Sequence, residues 1–90
     1  MQITHDNKGY DTERMELIAE RSAHCNGNYS GENQLWIAKD GTLFEATTSN
    51  GQDLYRNDAI WSAEKDAINK YELTTAQEQR AQELGLIEIV

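Results

Sequence analysis

Large apolar residues gather most clearly in two short neighbouring stretches, Gln34-Leu35-Trp36-Ile37-Ala38 and Thr42-Leu43-Phe44-Glu45-Ala46-Thr47. Short apolar runs around turn residues read as β-strands, whose successive side chains point to opposite faces. Between the stretches lies Lys39-Asp40-Gly41, where the glycine can take the positive φ that a tight turn needs. The pattern predicts a hairpin over about 34–47. Two registers satisfy it. A two-residue Asp-Gly turn puts Leu35, Ile37, Phe44 and Ala46 on one face, whereas a three-residue turn with a glycine bulge pairs Trp36 with Phe44 and Ile37 with Leu43. In either register both faces carry large apolar groups, so we expect the hairpin to be covered on one side and partly adhesive on the other.

The flanking segments predict shorter elements. Residues 1–4 read as a short strand followed by turn chemistry at Asp6-Asn7-Lys8-Gly9. Residues 11–23 are ambiguous: Glu13, Arg14, Met15, Glu16, Leu17 and Ala19 favour a helix, capped by Asp11 or Thr12, but the apolar Met15, Leu17, Ile18 and Ala19 do not settle the period. Asn26-Gly27 marks a turn within the small, polar residues 25–31, and residues 47–53 form a polar interruption. Ser62 is placed to cap a helix over 63–71, with Ala67, Ile68 and Tyr71 on one side. Thr75-Ala76-Gln77-Glu78 has capping-box spacing and predicts a helix over 76–84 that stops at Gly85. Leu86-Ile87-Glu88-Ile89-Val90 reads as a terminal strand or an apolar tail seeking a partner. The expected architecture is α+β, one domain over residues 1–90, with a small antiparallel sheet packed with two short helices.

Charge changes what this fold is expected to do. Sixteen acidic and eight basic residues give a formal charge of −8, with the acids spread from Asp6 to Glu88. The plain consequence is a solvated surface; the sharper one is attraction of a basic partner. Direct binding to nucleic acid needs clustered Lys and Arg, which eight scattered bases do not supply. With 38% apolar residues we expect a thin core. The single cysteine, Cys25, excludes an internal disulfide; the polar start and the lack of any long apolar run point to a reducing cytoplasm. In that compartment Asn28-Tyr29-Ser30, though it matches a glycosylation acceptor, goes unused.

Candidate chemistry is sparse. His24 and Cys25 are neighbours, but a zinc site wants about four ligands, and adjacent residues rarely aim their side chains at one another. Gly27 and Gly31 lack the Lys-Ser or Lys-Thr of a phosphate loop. We therefore expect no catalytic residue, metal or cofactor. Trp36, Tyr55 and Trp61 are candidate contact aromatics, with Tyr55, in the acidic stretch Asp53-Leu54-Tyr55-Arg56-Asn57-Asp58, the best placed for the surface.

Tyr10-Asp11-Thr12-Glu13, followed by Glu16-Leu17-Ile18-Ala19, resembles the opening of a group of small bacterial, phage and mobile-element proteins of largely unknown function. Leu35-Trp36-Ile37-Ala38-Lys39-Asp40-Gly41-Thr42-Leu43-Phe44 is similar to that group's hairpin, and Ile60-Trp61-Ser62-Ala63-Glu64-Lys65-Asp66-Ala67 to its later helix start. Trp36 stands where the group usually has Tyr, Leu43 where an aromatic is common, and Thr47-Thr48-Ser49-Asn50-Gly51 where a Gly-Gly loop is expected. The resemblance, over residues 10–71, implies a strand near 16–22 beside the hairpin and implies no catalytic residue. In size and acidity the chain also resembles anti-CRISPR proteins. The expected function is that of a non-enzymatic inhibitor from a phage or mobile element. It would act in the host cytoplasm on a protein or ribonucleoprotein complex with a basic surface, a CRISPR-Cas effector being one such target. Glu13, Glu16, Asp40, Glu45, Asp53 and Asp58 would supply charge, with Trp36 and Tyr55 as anchors. The alternatives are a homodimeric structural or assembly protein, resting on the apolar tail and two-sided hairpin, and a small enzyme or metal protein using His24 and Cys25.

Overall fold

Six strands and one nine-residue helix account for most of the regular structure in a computed structural model, which describes residues 1–49, 58–88 and 90. Strands β1 (Gln2–His5) and β2 (Lys8–Asp11) form a two-stranded antiparallel hairpin. Its turn residues Asp6 and Asn7 both have positive φ, 50° and 63°, as the mirror-image turn that suits twisted strands requires. Asp11 then accepts from the Glu13 N–H and caps a short 3-10 turn, Thr12–Arg14.

The second sheet is a meander of β3 (Glu16–Cys25), β4 (Asn28–Ile37), β5 (Leu43–Thr47) and β6 (Ala59–Ala63), in that spatial order and antiparallel throughout. Asn26 and Gly27, again both at positive φ, turn β3 into β4. The strand implied beside the hairpin thus exists and runs on to Cys25. Helix propensity in residues 16–22 yields because pairing with β4 buries Ile18 and Ala19. A register shift between Leu17 and Ala19 lets these two consecutive residues both turn inward, which a regular strand forbids.

The β4–β5 register is that of the glycine bulge: Trp36 faces Phe44 and Ile37 faces Leu43. The Gly41 N–H donates to Ala38 O and the Ala38 N–H to Thr42 O, both at 2.9 Å, with Gly41 at φ 90°. This register separates two apolar sets. Ala19, Leu35, Ile37 and Leu43 join Ala67, Ile68, Tyr71, Ala81 and Leu86 in one core. Phe44, fully buried, lies on the opposite face under the β1–β2 hairpin, with the Tyr10 ring at 4.8 Å and the His5 ring edge-on at 6.0 Å. The side expected to be adhesive is therefore covered at Phe44 by the chain's own first hairpin.

The predicted helix over 63–71 is corrected. Ser62 pairs with Phe44 within β6 instead of capping a helix, and the chain turns only afterwards, into a 3-10 helix, Lys65–Lys70. Three residues per turn still align Ile68 with Tyr71 on the core, so the same apolar spacing serves. The later helix, α1 (Thr75–Glu83), is capped one residue earlier than the spacing suggested: Thr74 and Gln77 bond each other's backbone N–H reciprocally. It ends as expected at Gly85, φ 74°, where Leu86 N–H reaches Ala81 O and Gly85 N–H reaches Gln82 O. The terminal segment forms no strand over the described residues 86–88; Leu86 inserts into the core and Ile87 packs against it. The architecture is thus a small α+β domain, mostly strands. Among the described residues no helix is long and apolar enough to cross a membrane.

Candidate functional site

Three carboxylates expected to face a partner instead fasten the elements that cover the sheet. Glu45 lies on β5, only 7% exposed. It accepts from Lys70 Nζ at 3.0 Å and from the Tyr71 hydroxyl at 3.3 Å, both at the end of the 3-10 helix. Burial, and then the Glu45 charge, push the Tyr71 phenol well above its ordinary pKa, so it stays a proton donor. Arg21 on β3 completes the clamp, with its guanidinium 6.0 Å from the centre of the Tyr71 ring.

Glu16, at the start of β3, holds α1. Arg80 donates to both of its carboxylate oxygens, Nε at 2.7 Å and Nη2 at 2.8 Å, and also reaches Glu83 at 3.0 Å. The Arg80 hydrogen bonds hold the Glu16 carboxyl below its ordinary pKa. Asp40, in the β4–β5 turn, holds the first hairpin: it accepts from the Tyr10 hydroxyl at 2.7 Å and from the Thr42 N–H at 3.0 Å, with Lys8 Nζ at 3.7 Å. The Tyr10 bond, then the Thr42 bonds, lower its pKa to about 2.

The other expected contacts are scattered. Asp58 accepts from the Ser49 N–H at 2.8 Å, and Glu13 is exposed on the turn after β2. Trp36 is half-buried, its indole N–H donating to Gln34. Asp53 and Tyr55 lie outside the described residues.

A different set of carboxylates meets solvent. Residues 64–88 carry Glu64, Asp66, Glu72, Glu78, Glu83 and Glu88 against Lys65, Lys70 and Arg80. Two of those three bases are engaged with the sheet, as described above. Glu64, Asp66, Glu72 and Glu78 are exposed and form no ion pair among the described residues. Trp61, 44% exposed on the edge strand β6, pairs with Glu45 and so shares the sheet face that this layer covers. An acidic outer layer with an exposed tryptophan on the same side is the arrangement with the most evident capacity for contact. Sequence reasoning missed it, although a signal existed. Glu64, Asp66 and Glu72 flank Ala67, Ile68 and Tyr71, so burying the apolar set leaves the acids outside it.

His24 lies 6.3 Å from the Tyr29 ring, and among the described residues no three His, Cys, Asp or Glu side chains gather as metal ligands would. Comparison with known proteins finds no matching family model, no similar curated protein and no similar solved structure.

Proposed function

We propose that the chain is a binding domain whose acidic outer layer engages a basic surface of a nucleic-acid-handling complex and blocks or regulates it. Carboxylates presented on a folded scaffold occupy a groove suited to phosphates, and long-range attraction speeds the encounter. Glu64, Asp66, Glu72 and Glu78 supply the charge and Trp61 the apolar anchor, because tryptophan carries an outsized share of contact energy where it is desolvated. The observation that supports this reading is the division of charge. Glu64, Asp66, Glu72 and Glu78 are left open, while Glu83 pairs with Arg80 and two of the layer's three bases are turned to the sheet. That the complex belongs to bacterial defence, and that the chain acts as an anti-CRISPR-like inhibitor in the host cytoplasm, rests on the resemblance in sequence and size alone.

The test is affinity capture from bacterial lysate, with and without a defence complex, read by mass spectrometry. The bait is compared with a variant carrying Glu64→Gln, Asp66→Asn, Glu72→Gln and Glu78→Gln. The expected outcome is a nucleic-acid-binding complex retained by the native chain, competed off by added DNA and lost with the variant. Equal retention by both baits would refute the role of the layer. A homodimeric role is less well supported, since Leu86 of the apolar tail and Phe44 of the hairpin's second face are both buried within one chain.

A further inference from the structure

A different balance of charge, with cations slightly in excess, appears where the turn after β2 meets the β4–β5 turn. Two adjoining open grooves, of about 360 and 460 Å³, share Arg14, Met15, Ala38 and Lys39; one extends to Lys8 and Tyr10, the other to Ile37, Leu84 and Arg80. Three carboxylates also line them and stay ionised, but Lys8, Arg14, Lys39 and Arg80 outnumber them, and each carboxylate already accepts a bond at both oxygens. Asp11 accepts from the Glu13 N–H at 3.0 Å and from Gln2 at 3.3 Å. Glu16 takes two bonds from Arg80, and Asp40 takes the Thr42 N–H and the Tyr10 hydroxyl. Arg14 and Lys39 are exposed and form no ion pair among the described residues. The grooves therefore offer two open cations beside an apolar floor, on a molecule whose formal charge is −8.

We infer that this double groove docks a short acidic–apolar peptide segment of a partner protein, its carboxylates meeting Arg14 and Lys39 and its aliphatic side chains lying on Met15, Ala38 and Leu84. Charge complementarity selects the acid, and the apolar floor selects its neighbour. A nucleic acid fits less well. A few cations neutralise little of a polyanion that the rest of the molecule repels, and Tyr10, the aromatic side chain lining the grooves, is already engaged with Phe44 and Asp40.

A display library of random dodecapeptides, selected on the native chain at low salt, tests this. The expected consensus sets Asp or Glu beside Leu, Ile or Met. Synthetic peptides of that consensus, followed by fluorescence anisotropy, should bind at least about tenfold more weakly to Lys39→Glu and to the Arg14→Glu, Lys39→Glu double variant. Circular dichroism verifies that the variants are folded; Lys39→Glu, at an exposed turn position, keeps the test valid if the double variant is not. A basic consensus unaffected by these substitutions would locate recognition at the acidic layer instead and overturn the groove. No enrichment, acidic peptides indifferent to Lys39→Glu, or stronger binding of a labelled oligothymidine than of the peptides would also overturn it.

Discussion

Carboxylates on the sheet and carboxylates on the layer covering it have opposite fates. Asp40, Glu16 and Glu45 each tie one covering element to the meander: the first hairpin, α1 and the 3-10 helix respectively. Glu64, Asp66, Glu72 and Glu78 sit on the outside of what those ties hold down, and none of them forms an ion pair among the described residues. Both groups are Asp and Glu in similar number, so residue type does not separate them. Access to a donor does. A small domain with a thin core gains from polar clamps at its seams, while leftover acid on the outside keeps it soluble and leaves it able to attract a basic surface.

The largest effect should come from Glu45→Ala. It leaves the buried Tyr71 hydroxyl without an acceptor, which costs about 1–3 kcal/mol, while the half-exposed Lys70 re-solvates and adds little. Urea denaturation should show the lower midpoint, and Glu45→Gln, which retains an acceptor oxygen, should lose less. Acid should reveal the next. The folded-state pKa of Asp40 is depressed from 3.8 to about 2, so its stabilisation is present above the unfolded value and disappears as pH falls through that window. Asp40→Asn should flatten the decline in stability between those values, with the first hairpin loosened at neutral pH. Arg80→Gln should act more locally still. The pair with Glu16 is nearly half exposed and correspondingly weak, but amide exchange should quicken in α1 and not in β1 or β2. Smallest of all should be the fourfold neutralisation of the outer layer, which should change the unfolding free energy measured in urea by no more than about 1 kcal/mol. A large loss there would erase the distinction between clamping and displayed acids.

The β4–β5 hairpin is legible because its signal is local: Asp40-Gly41 dictates turn geometry over a few residues, whereas Asn26-Gly27 marks a turn but not the strands that flank it. The strand near 16–22 is implied only by the resemblance, which stops short of its true end at Cys25, since Glu16, Leu17 and Ala19 favour a helix until β4 is beside them. Pattern alone misassigns residues 63–71 because Ser62 has cap chemistry and Ala67, Ile68 and Tyr71 share one side of an α-helix and of a 3-10 helix almost equally. Thr74-Thr75-Ala76-Gln77-Glu78 contains two overlapping capping boxes, and only the realised hydrogen bonds distinguish them. The candidate site suffered most. Which acid meets Arg80, Lys70 or Tyr10 depends on contacts 25 to 64 residues apart in the chain, beyond the reach of any periodicity.

The most direct test of the acidic layer is the rate at which the chain associates with its captured complex, followed by stopped-flow from about 50 mM to about 300 mM salt. Steering by the displayed carboxylates predicts that the association rate constant falls about tenfold or more across that range for the native chain and stays nearly flat for the fourfold-neutralised variant. A native rate indifferent to salt, or a variant rate that falls just as steeply, would contradict it.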